Sequence, residues 1–257
     1  MVSATYDGFP AAVGVSRLSV YDWPTPDGRP GGGTPHMHLT CSEGYVVTAG
    51  RGAVQTLTAS GYEETPLEPG TVAWFTPGTI HRLINDGGLQ ITVVMQNSGL
   101  PEAGDAVLTL PPDLLTDTDT YAHAVRIPAD AAETEQAEVA RARRDLATRR
   151  FQELRKATES GDPEPLAAFH RAAAQLVRPR LDAWEQRWRS GAHAAATATE
   201  AQLQALRAEN PENTENPENT ENAENGAYLA AARVAATGPT ARGRFGMCGR
   251  LDVYPGI

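Results

Sequence analysis

Three histidines and one glutamate stand in two short, glycine-flanked segments of this 257-residue chain. They are His36, His38, Glu43 and His81, and we call them the ligand group. Imidazole nitrogens and carboxylate oxygens are donors that divalent iron, manganese, nickel, copper and zinc all accept. The sequence therefore predicts a site for one divalent transition metal ion, and these donors alone do not select among the five metals.

The spacing of the ligand group suits β-strands. His36 and His38 lie two residues apart, so both side chains leave the same face of a strand. The polar stretch 39–42 can turn the chain, which lets Glu43 approach from a neighbouring strand. His81 must arrive from farther along the chain, after two more turns. We therefore expect the metal site to be assembled from several strands of a barrel.

At these residues the sequence resembles the two motifs of the cupin superfamily. The residues that carry the resemblance are His36, Met37, His38, Glu43 and Gly50 in the first motif, and Gly70, Gly78, His81 and Asn85 in the second. The second motif departs from the family at Pro77, which directly precedes Gly78 where the family usually leaves one residue between. The resemblance covers roughly residues 10 to 100 and implies a jelly-roll barrel, or double-stranded β-helix, that binds its metal through the ligand group.

The residues themselves also predict a mainly β fold for this part of the chain. Short strands are expected at 14–22, 34–40, 45–48, 53–58, 71–75, 81–85 and 89–96, separated by glycine, proline and aspartate turns. By alternation, Tyr45, Gln55 and Asn85 are candidates to face the barrel interior as second-sphere or substrate-contact groups. For each of the three, wall packing or a strand-end hydrogen bond is the alternative.

The remainder of the chain divides by composition. We predict a barrel domain over 1–110, a proline- and aspartate-rich linker over 111–130, and an α-helical extension over 131–208 with coiled-coil-like pairing. Pro179 should kink its second helix near Gln175. An ENP/ENT repeat tract at 209–225 is expected to be disordered, and a helix with an apolar tail at 226–257 is expected to dock. We expect the two helices to pack against each other and against the barrel, with a homodimer contact or a lid at the tryptophan end, Trp184 and Trp188, as the alternative.

Charge and composition narrow the possible partners. Six of the ten net negative charges lie in the repeat tract, which has six glutamates and no base. The five arginines between 141 and 150 alternate with glutamates at helical spacing, so we expect a solvated helix face and no nucleic-acid partner. No apolar run reaches membrane-spanning length, and no secretory leader is visible. Two cysteines, Cys41 and Cys248, are too few for a disulfide framework, so we expect a cytoplasmic protein. The expected partner is a small-molecule substrate.

Three function classes follow from the ligand group. Four protein donors leave two positions around a six-coordinate ion, where a substrate or dioxygen can bind. The resemblance implies a metalloenzyme, for which we favour a dioxygenase over an isomerase or epimerase of a sugar or related compound. The barrel segment holds only four bases, Arg17, Arg29, Arg51 and Arg82, which counts against phosphorylated substrates. A non-catalytic ligand-binding protein, or a structural or storage protein braced by its metal, are the other classes.

Overall fold

A computed structural model describes residues 6–208 and 227–255, and this part of the chain contains one antiparallel sheet of nine strands. The predicted disordered tract at 209–225 lies outside the described residues. The strands are β1 Gly14–Val20, β2 His36–His38, β3 Glu43–Thr58, β4 Gly61–Leu67, β5 Val72–Phe75, β6 Ile80–Met95, β7 Ala106–Leu108, β8 Ala241–Phe245 and β9 Gly249–Val253. The predicted β architecture is therefore confirmed, although four of these strands, β4, β7, β8 and β9, were not predicted.

The two longest strands, β3 and β6, are each continuous where the sequence predicted two strands separated by a turn. They pair along their whole length, with register shifts between Val47 and Gly52. Gly52 explains the difference. A Cβ at this position would lie 2.0 Å from the carbonyl oxygen of Ile84, so the lack of a side chain lets the two backbones approach and the pairing continue. The predicted turn at 50–52 is thus a β-bulge, which bends the strands without reversing the chain.

The bent sheet has an inner and an outer apolar face. Tyr45, Val54 and Leu83 belong to a buried cluster on the inner face. On the outer face Leu57 and Ile80 belong to a second cluster, which is formed largely by helical residues. The strands of the barrel are therefore buried on both sides where the helices cover them, and the metal-site candidates lie on the inner side.

Five helices of eight residues or more follow the barrel within the described residues. They are α1 Thr118–Val125, α2 Glu133–Glu159, α3 Glu164–Val177, α4 Leu181–Trp188 and α5 Ala194–Ala208. The expected linker thus contains α1. Asp117 caps the start of this helix, and its carboxylate accepts from two backbone N–H groups of the first turn. The expected proline interruption is present as a tight turn, Arg178–Arg180, between α3 and α4. None of the described helices has the length and hydropathy that a bilayer-spanning segment requires.

Two arginines of α2 contradict the prediction of a solvated face. Arg143 donates to the carbonyl oxygen of Gly246 at 3.0 Å. Arg144 is fully buried. It donates to the backbone carbonyls of Trp23, Pro24 and Gly32. Charge spacing cannot distinguish such an arginine from a solvated one, since the partners are loop carbonyls far away in the sequence.

The C-terminal residues form a hairpin that extends the barrel sheet. β9 pairs antiparallel with β1, with Leu18 opposite Leu251. Gly249 lets the backbones approach, because a Cβ there would lie 2.0 Å from the carbonyl oxygen of Ser19. Each of the two strands is only five residues long, so the run of alternating apolar and polar residues was too short to predict them.

Candidate metal centre

The four side chains of the ligand group converge on one point inside the barrel. One donor atom from each lies within 4.8 Å of the donor atoms of the others, and all four residues are buried. The Nε2 atom of His81 is 3.1 Å from Nε2 of His36. It lies 3.0 Å from Oε2 of Glu43. The structure therefore brings together all four residues that the sequence singled out as metal ligands.

Strand register brings the three histidines together. β2 carries His36 and His38 and pairs with the start of β6, where His36 lies opposite His81. Glu43 arrives differently, because it begins β3 and pairs with Met95 at the far end of β6. Its carboxylate lies 3.0 Å from His81 only because β3 and β6 bend, so Glu43 reaches the histidines across the barrel interior.

Each imidazole of the ligand group has its outer nitrogen occupied. Nδ1 of His36 lies 2.8 Å from the Thr34 carbonyl oxygen. Nδ1 of His81 lies 3.1 Å from the Thr79 carbonyl oxygen. A carbonyl only accepts, so Nδ1 carries the proton in both rings and Nε2 presents its lone pair to the centre.

This arrangement fits a cation. Two facing Nε2 lone pairs of His36 and His81 repel one another unless a positive charge lies between them. Oε2 of Glu43 is buried at the same point, 3.0 Å from Nε2 of His81 and 3.4 Å from Nε2 of His38, and accepts no hydrogen bond from the described residues. An orphaned buried carboxylate oxygen costs free energy that a bound divalent ion offsets. The donors present therefore match a metal site and could hold one metal ion.

The electrostatics of the site agree with this interpretation. Burial raises the pKa of Glu43, but the neighbouring imidazoles of His81 and His38 outweigh burial and hold that pKa well below its usual value. Burial lowers the pKa of His36 well below its usual value, and the neighbouring imidazoles lower it further. Burial also lowers the pKa of His38, but Asp105 and Glu43 outweigh it and raise that pKa to about 9. Without metal, the site therefore holds a proton on His38 beside an ionised Glu43.

Asp105 is a functional residue that the sequence did not single out. Its Oδ2 lies 3.0 Å from Nδ1 of His38. Its Oδ1 accepts from the backbone N–H and the hydroxyl of Thr40, both at 2.7 Å. Asp105 directly precedes β7, which pairs with β2 and sets Ala106 opposite His38. The only sequence signal is an aspartate immediately before a short apolar segment, beyond residue 96, where the last predicted strand ends.

Tyr45 is the one additional candidate that lies beside the ligand group. Its ring is 5.3 Å from that of Phe75 and 6.4 Å from that of His81, measured between centroids. Its hydroxyl is buried and has no hydrogen-bond partner among the described residues. Burial, and then the charge of Glu43, raise the pKa of Tyr45 well above its usual value. Tyr45 therefore keeps its proton next to the glutamate ligand.

Gln55 and Asn85 are placed away from the ligand group. Gln55 lies opposite Arg82 in the sheet and donates to Glu64 at 2.9 Å. Asn85 donates to the carbonyl oxygen of Val20 at 2.9 Å and accepts from the backbone N–H groups of Gly87 and Leu89. Both side chains therefore serve the strand-end and wall contacts that were the alternative for them.

A cavity of about 300 Å³ adjoins the ligand group. His36, His38 and Glu43 line one end of it. Most of its other walls are apolar side chains of β1, β6 and the C-terminal hairpin. A small molecule in this cavity would contact the metal site at one end and apolar groups elsewhere.

Comparisons with known proteins agree with the barrel. Residues 28–95 match the family model described as Cupin domain. No curated protein matches the chain significantly. The matches to solved structures are weak, with TM-scores well below 0.5.

Three solved structures illustrate the similarity. A variant of Streptomyces PAC13 with uridine is 17% identical over 36% of this chain and 62% of that chain, with a TM-score of 0.27. A Klebsiella pneumoniae protein with a double-stranded β-helix domain is 19% identical over 33% of this chain and 64% of that chain, with a TM-score of 0.25. The WlaRB TDP-quinovose 3,4-ketoisomerase from Campylobacter jejuni is 15% identical over 32% of this chain and 60% of that chain, with a TM-score of 0.26. This chain thus spans less than two thirds of the length of each of the three.

Proposed function

We propose that this chain, whose residues 28–95 form a domain of the cupin superfamily, is a metal-dependent enzyme that acts on a small molecule. One observation carries the proposal: the donor atoms of the ligand group meet within 4.8 Å. The outer nitrogens of its imidazoles are already bonded elsewhere. Such a set is preorganised for a metal, because little reorganisation is required when the ion binds.

The ligand group would hold one divalent ion of iron, manganese, nickel, copper or zinc. When bound, the ion supplies open coordination positions with Lewis-acid or redox character. Glu43 contributes the negative charge of the site. Asp105 fixes the ring of His38, and Tyr45 is available to donate a hydrogen bond to the carboxylate of Glu43.

Within the enzyme class we favour oxygenation of an apolar substrate by dioxygen. Moving a proton between the carbons of a sugar requires a placed acid or base beside each carbon. Beyond the ligand group, the polar side chains that line the cavity are Ser16, Ser98, Glu102, Arg244, Cys248 and Tyr254. Burial raises the pKa of the Cys248 thiol, and the single carboxylate, Glu102, is exposed at the rim. This lining supports a dioxygenase better than a sugar isomerase or epimerase.

The test is oxygen uptake by the iron-loaded full-length protein. The substrates would be a panel of catechols, 1,3-diketones and 2-oxo acids, each of which offers two adjacent oxygen donors. His81→Ala should abolish any uptake, and the matched control His123→Ala, on the exposed surface of α1, should retain it.

Two other outcomes would contradict a dioxygenase. Conversion of a substrate under strictly anaerobic conditions would favour an isomerase. The protein would be loaded with each of the five metals in turn. If members of the panel raise its thermal stability but none is converted, a non-catalytic ligand-binding protein is favoured.

A further inference from the structure

Strand β9 forms one wall of the cavity beside the ligand group, although it lies at the opposite end of the chain. Leu251 pairs with Leu18, and Val253 pairs with Ser16. Paired residues in an antiparallel sheet share a face, so both β9 side chains point the same way as their partners on β1. Both Leu251 and Val253 line the cavity. β9 therefore continues the inner face of the barrel.

The hairpin that carries β9 is anchored firmly enough to act as a wall. The carbonyl oxygen of Met247 accepts from the backbone N–H of Thr34 at 3.0 Å and from its hydroxyl at 2.6 Å. The carbonyl oxygen of Gly246 accepts from the hydroxyl of Tyr21 at 3.0 Å and from Arg143 at 3.0 Å. The turn between β8 and β9 is thus bonded both to the loop that precedes β2 and to helix α2.

The anchoring also connects the hairpin to the metal site. Thr34, which donates to Met247, uses its own carbonyl oxygen to hold Nδ1 of His36 at 2.8 Å. The same turn therefore fixes the position of the wall relative to the ligands. A molecule that reaches the metal must lie at a defined distance from β9.

The chemistry of the walls defines what fits. Apolar side chains from three adjacent strands line the cavity: Leu18 of β1, Val93 and Met95 of β6, and Leu251 and Val253 of β9. Each methylene group buried against such a wall contributes about 0.8 kcal/mol of transfer free energy. The metal end offers only donors for an ion, so it favours a ligand with adjacent oxygen atoms.

We propose that β9 is the substrate-selecting wall of this site, and that it selects a substrate with an oxygen-chelating head and an apolar body. The inference rests on the proposed function, in which the ligand group binds a metal and a small molecule. It assigns specificity to residues that lie outside the matched domain at 28–95.

The test compares two probes that share a two-oxygen head and differ only in an alkyl chain. Acetohydroxamate and hexanohydroxamate would be titrated calorimetrically into the full-length protein loaded with one equivalent of zinc. We expect the longer probe to bind more than about tenfold tighter, because four additional methylenes contact the apolar walls. Val253→Asp should reduce this preference to less than about threefold and leave acetohydroxamate affinity within about twofold.

Two further variants keep the test decisive. Val253→Thr keeps the β-branched shape and the strand preference at a partly exposed position, so it should fold, and its hydroxyl should still lower the preference by about threefold. Arg242→Ala changes an exposed residue of β8 that does not line the cavity and should leave the preference unchanged. Equal affinities for the two probes in the wild type, or an unchanged preference in both Val253 variants, would overturn the role of β9. If acetohydroxamate shows no zinc-dependent binding, the proposed function fails, and this inference fails with it.

Discussion

Asp105 and His38 are 67 residues apart in the chain, yet Oδ2 of the aspartate lies 3.0 Å from Nδ1 of the histidine. The other carboxylate oxygen accepts from Thr40, so the aspartate is held from both sides. Burial raises the pKa of Asp105, but the hydrogen bond from His38 and the other bonds to the carboxylate outweigh burial and lower that pKa. The carboxylate therefore stays ionised, fixes the orientation of the ring, and increases the basicity of its Nε2 atom.

Asp105→Asn should weaken metal binding by about tenfold to a hundredfold, because the amide holds the ring less firmly and does not raise its basicity. Competition with a chromophoric chelator measures the affinity. Asp130→Asn, at an exposed position, is the control. Equal metal affinity of Asp105→Asn and the wild type would show that the contact has no role in the site.

Asp27 and Arg82 predict how stability depends on pH. Two bonds of 2.8 Å join the carboxylate to the buried guanidinium. Burial raises the pKa of Asp27, but the bonds from Arg82 and Thr25 outweigh it and lower that pKa from 3.8 to about 2. The folded state therefore binds the proton more weakly than the unfolded state. The resulting stability is fully present above pH 3.8 and is lost as the pH falls through about 2.

Asp27→Asn should remove this acid-sensitive contribution and leave Arg82 without its counter-charge. We expect a loss of about 2–3 kcal/mol in the free energy of unfolding near neutral pH. This is less than the loss of a fully buried ion pair would cost, because the aspartate is partly exposed. Urea unfolding at several pH values measures it. A variant that loses stability between pH 3.8 and about 2 as steeply as the wild type would contradict this role of the pair.

Gly52→Ala should destabilise the barrel by about 2–4 kcal/mol, because the new methyl group would meet the Ile84 backbone at the bulge. Gly238→Ala is the matched control, since a Cβ there has nothing within 4 Å. Its effect should stay within about 0.5 kcal/mol. Chemical unfolding of both variants provides the comparison, and equal stabilities would mean that the bulge tolerates a side chain.

Arg144→Lys should cost about 2–4 kcal/mol of folding free energy. Lysine cannot reproduce the planar fork that reaches three loop carbonyls, and a buried acceptor left unpaired is costly. Arg141→Lys, on the exposed side of α2, should have almost no effect. Thermal unfolding distinguishes the two, and a stable Arg144→Lys variant would show that the loop does not depend on this side chain.

The ligand group could be found from the sequence because its members have distinctive donors at strand spacing. Gln55 could not be placed from the same alternation. Tyr45 and Val54 share the inner face although their positions differ by an odd number, nine, which strict alternation would place on opposite faces. The bulge between Val47 and Gly52 inserts the additional residue that turns Gln55 to the outer face.

Asp105 and the strands of the C-terminal hairpin, in a tail predicted only to dock, were not predicted, and for a different reason. Each acts through a partner that is distant in sequence, His38 in one case and Thr34 in the other. Nothing in a local pattern specifies such a pairing, because it depends on which strands the fold makes neighbours. Both roles depend on the pairing of β7 with β2 and of β9 with β1.

The most direct test of the metal centre is the metal content of full-length protein purified without a chelating tag. We predict close to one transition metal ion per chain in the wild type and in His123→Ala, and less than about a tenth of that in a folded His81→Ala variant. A wild-type protein that contains no metal, and binds none of iron, manganese, nickel, copper or zinc when each is supplied, would contradict the account.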